Sequence, residues 1–191
     1  MYSEFHNLNT GYIEVISGPM FCGKTEELIR RVKRAIISKQ NVIIFKPVVD
    51  NRYHAENVVS HNDLSVNAIA IKNIEDIFKY LKHETVIAID EAQFFSENIV
   101  DICNELANKG KRVIVAGLDK DSFNKPFGPM PNLMASADFV SKLHAICVEC
   151  GRIATHTFRK SLSKDLVMIG THDAYEARCR KCYNEGQHNI F

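Results

Sequence analysis

The chain has 191 residues, of which 46% are hydrophobic and 25% charged, so it is long enough to bury a core without disulfides. With 24 Lys and Arg residues against 23 Asp and Glu residues, its net charge of +1 argues against nucleic acid as the main partner and lends no support to an anionic membrane surface. No apolar run reaches the roughly 20 residues of a membrane span, and the N-terminus does not resemble a signal peptide, so we expect a soluble, cytoplasmic protein.

Short apolar runs alternate with helical patterns in the first two thirds of the chain. Four runs are apolar at both alternations and predict buried strands: Tyr12–Ile16, Val42–Phe45, Val86–Asp90 and Val113–Ala116. Three segments carry an apolar stripe of helical period: Thr25–Ser38 with Ile36 on the stripe, Ile74–Lys82 with Asn73 as its cap, and a helix from about Ser96 to Gly110. This alternation predicts an α/β fold, with a parallel sheet flanked by helices.

The pattern changes after about Gly117. Asp119–Asn132 contains three prolines and is predicted to be a loop, and beyond Cys147 we expect short, irregular structure. The sequence therefore predicts an α/β domain at residues 11–143 and a small second domain at residues 144–191, and the motifs described next assign ATP binding to the first and metal binding to the second.

Gly18–Thr25, called the phosphate loop below, matches G-x-x-x-x-G-K-[ST] between a predicted strand and a predicted helix. Backbone N–H groups of such a loop hold phosphate oxygens, and the helix N-terminus adds positive charge. The expected ATP-binding residues are Gly18, Pro19, Met20, Phe21, Cys22, Gly23, Lys24 and Thr25. Lys24 is expected to reach the outer phosphates and Thr25 to ligate Mg²⁺. Cys22 is interpreted as a small residue that fits the loop, with a reactive thiol as the alternative.

Two carboxylates, Asp90 and Glu91, end the third predicted strand. Ligands of open α/β sheets bind at the carboxyl ends of strands, so Asp90 is predicted to hold Mg²⁺. Glu91 is predicted to act as a base, on water in a hydrolase or on an acceptor hydroxyl in a kinase. In a strand the two side chains would point in opposite directions, unless the chain has already turned. A solvated strand end is the alternative.

The two C-x-x-C pairs, Cys147/Cys150 and Cys179/Cys182, are separated by residues 151–178. Four thiolates fill the tetrahedral coordination of Zn²⁺, so they predict a structural zinc site, with disulfides or a redox dithiol as alternatives. Cys103 lies on an apolar helix stripe and is interpreted as a core residue. The eight histidines show no paired ligand spacing and are interpreted as surface or satisfied polar residues.

The motifs GPMFCGKT, IDEAQFF, KPFG, CVEC and CRKC follow one another in this order, and together they closely resemble the type II, or cellular-type, thymidine kinases. The resemblance extends over residues 11–183. It implies a RecA-like P-loop sheet and a small zinc domain, whose segment between the cysteine pairs forms a lasso over the nucleoside. It also implies transfer of the ATP γ-phosphate to the 5′-hydroxyl of thymidine and, as a second acceptor, of deoxyuridine.

Roles for individual residues follow from the same resemblance. Glu91 matches the family's base, Thr25 and Asp90 its magnesium residues, and Arg52 an arginine near the phosphates. The matching nucleoside-pocket residues are Met20, Gln93, Phe94, Phe127, Thr157, Ile169 and Tyr175, and Leu166 stands at a pocket position that is valine-like in the family. The family further implies a homotetramer with thymidine triphosphate (dTTP) as feedback inhibitor.

Two other functions use the same motifs. A P-loop motor ATPase would act on a partner, but a motor on nucleic acid should carry a basic track, which the net charge of +1 argues against. A zinc-ribbon binding module that uses ATP as a switch needs neither a carboxylate base nor a long segment pinned by cysteines. The kinase hypothesis accounts for both features.

Overall fold

The computed structural model describes residues 10–48, 57–59, 65–160 and 174–188. The elements are β1 (Tyr12–Gly18), α1 (Lys24–Ile37), β2 (Val42–Pro47), β3 (Asn57–Val59), β4 (Ser65–Asn67), β5 (Ile69–Ile71), β6 (Val86–Ile89), α2 (Ile99–Asn108), β7 (Arg112–Leu118), α3 (Met130–Ser136), β8 (Phe139–Lys142), β9 (Ala145–Ile146), β10 (Ile153–Ala154), β11 (His156–Arg159), β12 (Tyr175–Arg178) and α4 (Arg180–His188). Two 3₁₀ helices span Ile74–Lys79 and Ala92–Phe94. No helix of these ranges is long and apolar enough to cross a membrane.

The central sheet has six parallel strands in the order β5-β2-β6-β7-β1-β8. Its four inner strands are the four that the apolar runs predicted, so the parallel α/β sheet is confirmed. The two edge strands were not predicted. Ile69–Ile71 has only three residues, and Phe139–Lys142 is half-buried and exposed in alternation, so neither forms an apolar run. Short, half-exposed strands are usual at a sheet edge.

Alternate residues of the inner strands supply two separate cores. Val113 and Val115 of β7 face the layer of α2 and α3, whereas Ile114 and Ala116 face α1. Because helices cover both faces, the carboxyl ends of the strands open at one edge between the layers.

Helix α1 buries Leu28, Val32 and Ala35 against the sheet, as its stripe predicts. The prediction for Ile36 is wrong, because this residue is 50% exposed. It lines an open groove between α1 and strands β2 and β5 instead of entering the core.

Two helix predictions need correction in type or length. The segment predicted as a helix over Ile74–Lys82 is a 3₁₀ helix that ends at Lys79. With three residues per turn it buries Ile74 and Ile77 and turns Phe78 to the surface. Helix α2 begins at Ile99, three residues after the predicted start.

The predicted loop Asp119–Asn132 is wrong in its last three residues, since α3 begins at Met130. Its flanking prolines, Pro129 and Pro131, indicated a loop from sequence. Proline is nevertheless compatible with the first turn of a helix, where backbone N–H groups have no helical partner.

Residues 145–160 and 174–188 form what we call the cysteine module. The expectation of irregular structure here is wrong, because the module has two antiparallel strand pairs, β9–β10 and β11–β12, followed by α4. The module also buries the aromatic residues Phe158, Tyr175 and Tyr183. The core around its cysteines consists of small residues: Ala145, Cys147, Ala154, Ala177 and Cys179. The side chains of Phe21 and Cys22 pack against this core, so the phosphate loop lies between sheet and module. The domain boundary at residue 143 stays a prediction.

Candidate active site

The phosphate loop joins β1 to α1 at the carboxyl edge of the sheet. At Gly18, with a φ of 146°, a Cβ would lie 2.5 Å from the Leu143 carbonyl oxygen, so a side chain would clash. Gly23 has a φ of 82° and turns the backbone into the first residue of α1. The predicted ATP-binding residues thus run from the end of β1 through a tight loop into the first two residues of α1, an arrangement that favours phosphate.

The Lys24 side chain is buried within this loop. Its Nζ donates to the Pro19 carbonyl oxygen at 2.8 Å, so the ammonium group is enclosed by the loop backbone. The Thr25 hydroxyl, one residue further, donates to Asp90 Oδ2 at 3.4 Å. The first two residues of α1 therefore connect the loop to the carboxylates at the end of β6.

Cys22 is held in an apolar environment. Burial raises the pKa of its thiol, and this effect outweighs the opposing charge of Lys24. A thiol with a raised pKa is a poor nucleophile near neutral pH. The structure therefore favours a packing role for Cys22 over a reactive one.

Asp90 lies one residue beyond β6, which ends at Ile89 and not at the predicted Asp90. The next residue, Glu91, has a φ of 53°, in the left-handed region, so the chain turns sharply here. The Glu91 N–H donates to Asp90 Oδ1 at 2.9 Å. The two carboxylates therefore share a tight turn and do not continue the alternation of a strand.

Gln93 connects this turn to the neighbouring strand. Its Nε2 donates to Glu91 Oε2 at 2.5 Å, and its Oε1 accepts the Leu118 N–H at 2.9 Å. Gln93 is itself buried, at 3% exposure. The backbone end of β7 thus orients Gln93, and Gln93 in turn orients the Glu91 carboxylate.

The electrostatics of the carboxylate turn favour a positively charged ligand. Burial and, second, the charge of Glu91 raise the pKa of Asp90 to about 7. Lys46 lies near the end of the adjacent strand β2. Burial lowers its pKa, although the charge of Asp90 opposes this shift. Lys46 was not singled out from sequence. The signal was available, because Lys46 directly follows the apolar run Val42–Phe45.

Four of the expected nucleoside-pocket residues lie in two contacting pairs. The Met20 N–H donates to Thr157 Oγ1 at 3.0 Å, and the Phe94 and Phe127 rings meet edge to face with centroids 5.6 Å apart. The Tyr175 hydroxyl accepts a hydrogen bond from Arg159 Nη2 at 3.0 Å.

Arg159 was missed from sequence, and no local pattern identifies it. Its guanidinium lies 5.5 Å from the Phe123 ring centroid and 5.4 Å from that of Tyr175. Three further expected residues, Arg52, Leu166 and Ile169, lie outside the described residues.

The four predicted metal ligands converge in space. The Sγ atoms of Cys147, Cys150, Cys179 and Cys182 all lie within 4.8 Å of one another. Cys150 Sγ and Cys179 Sγ are 3.7 Å apart, far beyond the roughly 2.05 Å of a disulfide. A tetrahedron with metal–sulfur bonds of about 2.3 Å has edges of about 3.8 Å. The set therefore fits a tetrahedral thiolate-bound metal, and the disulfide alternative does not fit.

Comparison with known proteins agrees with this geometry. Residues 11–183 match the family model described as thymidine kinase. Two curated proteins named thymidine kinase, from Bacteroides fragilis and Bacteroides thetaiotaomicron, are each 50% identical to the chain over 186 residues. Each match covers 96% of this chain and 94% of the relative.

Proposed function

The chain belongs to the thymidine kinase family, and from this we propose that it transfers the γ-phosphate of ATP to the 5′-hydroxyl of thymidine. The products are dTMP and ADP, the role is nucleotide salvage, and deoxyuridine is the second acceptor. One observation carries the kinase assignment. The Glu91 carboxylate is oriented by the buried Gln93 and stands beside Asp90, which accepts a hydrogen bond from Thr25 of the phosphate loop.

The phosphate loop supplies the donor side of the proposed reaction. Its backbone N–H groups and the start of α1 bind the phosphates of ATP, and Lys24 exchanges its bond with the Pro19 carbonyl for a phosphate oxygen. Because Lys24 is already buried in the loop, its charge needs little reorganisation to stabilise the transferring group.

The proposed magnesium residues are Thr25 and Asp90. A hydroxyl and a buried carboxylate 3.4 Å apart are hard oxygen donors, which fit Mg²⁺. When bound, the ion would neutralise phosphate charge. The raised pKa of Asp90 marks a carboxylate that gains from a nearby cation.

Glu91 is the proposed general base. It accepts the proton of the acceptor hydroxyl as the oxygen attacks the γ-phosphorus, and ADP leaves. The Gln93 amide holds one carboxylate oxygen, Oε2, so that the side chain keeps one orientation during the transfer. Arg52 is proposed to steady the phosphates.

The acceptor side is proposed to use the remaining resemblance residues. Phe94 and Phe127 offer an edge-to-face aromatic pair for a planar base, and Tyr175 is fixed by Arg159. The other proposed pocket residues are Met20, Gln93, Thr157, Leu166 and Ile169.

We propose zinc as the metal of the four cysteines. Four thiolates leave the ion no open position, so its role is structural. The family resemblance also supports a homotetramer, feedback inhibition by dTTP and a cytoplasmic location.

A phosphotransfer assay with MgATP and a panel of nucleosides tests the proposal. We expect dTMP to form with thymidine, and no phosphorylated product from deoxycytidine or purine nucleosides. ADP released without phosphorylated nucleoside would contradict it and would favour the motor-type ATPase.

The base is tested by Glu91→Gln, which keeps the shape of the side chain and removes its basicity. We expect kcat to fall by roughly 10²–10⁴-fold with ATP binding retained. Glu97→Gln is the matched control, because Glu97 bonds Asn132 outside the carboxylate turn and should leave kcat unchanged. Turnover of Glu91→Gln near that of the control would exclude Glu91 as the base.

A further inference from the structure

One backbone N–H of the phosphate loop is committed to the cysteine module. The Met20 N–H donates to Thr157 Oγ1 at 3.0 Å, across 137 positions of sequence. Thr157 is 5% exposed and lies in β11, opposite Ala177 of β12. A buried hydroxyl on a paired strand is a fixed acceptor, so it sets the position of the loop at Met20.

The neighbouring residue shows why the loop needs such support. Phe21 has a φ of 64°, a left-handed conformation that is unfavourable for a residue with a bulky side chain. Strained backbone of this kind persists only when its surroundings hold it in place. Here the Phe21 side chain packs on the core of the cysteine module, and the residue before it is held by Thr157.

We propose that Thr157 is a positioning residue of the phosphate loop and that, through Met20, it couples ATP binding energetically to nucleoside binding. The inference rests on the proposed function, in which the strands that carry Thr157 and Tyr175 also serve the nucleoside. A nucleoside that orders these strands also orders Met20, so each substrate strengthens the binding of the other. Thermodynamic linkage requires that the nucleoside raises the affinity for ATP by the same factor as ATP raises the affinity for the nucleoside.

The experiment measures the dissociation constant of ATP by calorimetry with and without thymidine, and that of thymidine with and without a non-hydrolysable ATP analogue. Thr157→Val keeps the shape of the side chain and removes the acceptor. We expect ATP to bind this variant about five- to tenfold more weakly in the absence of thymidine, the size of one lost hydrogen bond. The coupling factor between the substrates should fall towards one.

Two variants separate positioning from a general loss of structure. Thr157→Ser retains the hydroxyl and should restore ATP affinity to within about twofold of the natural chain. Thr155→Val removes a hydroxyl that contacts His156 and not the loop, so its ATP affinity should not change. Metal content and thermal unfolding, measured for all three variants, report whether the module is intact.

An ATP affinity and a coupling factor of Thr157→Val equal to those of Thr155→Val would overturn the proposal, leaving Thr157 with a nucleoside role alone. Weak ATP binding by Thr157→Ser and Thr157→Val alike would also overturn it, because the hydroxyl would not be the cause. Failure of the proposed function gives a different result: the natural chain would bind ATP and phosphorylate no thymidine, while the Val and Ser variants would still differ in ATP affinity.

Discussion

The central sheet and the cysteine module meet at the phosphate loop, but they are stabilised in different ways. The sheet buries large aliphatic and aromatic side chains, among them Phe45, Ile87 and Ile114, at below 2% exposure. The module buries three aromatic residues, Phe158, Tyr175 and Tyr183, but the core around its cysteines holds only alanines and cysteines. Burial of apolar area contributes roughly 25 cal/mol per Å², so this core of small side chains contributes less stability than the two cores of the sheet. The comparison indicates that the sheet is stabilised mainly by burial, whereas the module relies more on its contact with the sheet and on the metal proposed for its four cysteines.

The largest expected effect comes from removing one cysteine of the module. Cys179→Ala leaves three thiolates, and we expect loss of bound metal, rapid proteolysis of the module and at least a 100-fold loss of phosphotransfer, while the sheet stays folded. Cys103→Ala is the matched control, because Cys103 is a buried cysteine in the sheet core. This variant should retain the metal of the module. Elemental analysis and limited proteolysis make the comparison. A full complement of metal in Cys179→Ala would show that the module does not need four thiolates.

Shortening a side chain in the sheet core should have the opposite effect, with lower stability and unchanged metal content. Leu106, in the core between α2 and the sheet, is 1% exposed, and Leu106→Ala should lower the free energy of unfolding by about 2–5 kcal/mol with metal content unchanged. Ile37→Ala, at an 80% exposed position of α1, should change it by less than about 0.5 kcal/mol. Urea unfolding gives both values. Loss of metal from Leu106→Ala before global unfolding would contradict this separation, because the metal site would then depend on packing in the sheet core.

Acidification should destabilise the module through a residue that the sequence analysis expected at the surface or satisfied. His156 is 2% exposed, its Nδ1 contacts the Thr155 hydroxyl at 2.9 Å, and its Nε2 has no hydrogen-bond partner within the described ranges. Its ring lies on Tyr183 with centroids 4.8 Å apart. Burial, and next the charge of Lys120, lower the pKa of His156 to about 4.

Because the pKa of His156 is lower in the folded chain than its ordinary value of 6.5, the unfolded chain binds more protons between these values. The free energy of unfolding is therefore unaffected by His156 above pH 6.5. It falls by about 2–3 kcal/mol as the pH is lowered towards 4. Asp90, whose pKa is raised, acts in the opposite direction, so the natural chain alone does not isolate the effect.

His156→Phe keeps an aromatic ring against Tyr183 and removes the titration. The unfolding free energy of the natural chain minus that of this variant should therefore fall between pH 7.5 and pH 5. The same difference at both pH values would show that His156 does not titrate in this range. Glu27 of α1 offers a contrast, because its pKa is lowered to about 2 and it therefore affects stability only below its ordinary value of 4.5.

Sequence predicted the inner sheet and the motif residues because their signals are local. An apolar run such as Val86–Ile89 reports burial on both faces, and the spacing of Gly18, Gly23 and Lys24 reports a backbone shape. The 3₁₀ helix at Ile74–Lys79 and the start of α3 could not be predicted in this way. In both, packing decided between conformations of similar local preference.

The contacts that organise the site were beyond local reasoning. Met20 and Thr157 are 137 positions apart, and the Tyr183 hydroxyl donates to the Ser122 carbonyl oxygen at 2.7 Å across 61 positions. No periodicity encodes such pairs, because they arise only when the module docks on the sheet. Gln93 lies between the two cases, since its bond to Glu91 is local and its bond to Leu118 depends on the adjacent strand.

The strand order has a consequence for how the chain folds during its synthesis. β1 pairs with β7 and β8, whose residues follow it by about a hundred positions, and it makes no ladder with β2. A nascent chain therefore carries β1 and the phosphate loop without their sheet partners until Arg112–Lys142 have left the ribosome. Such distant pairing slows folding and leaves an apolar strand exposed to chaperones or aggregation in the meantime. The phosphate loop, among the first segments to be synthesised, is thus among the last to reach its final shape.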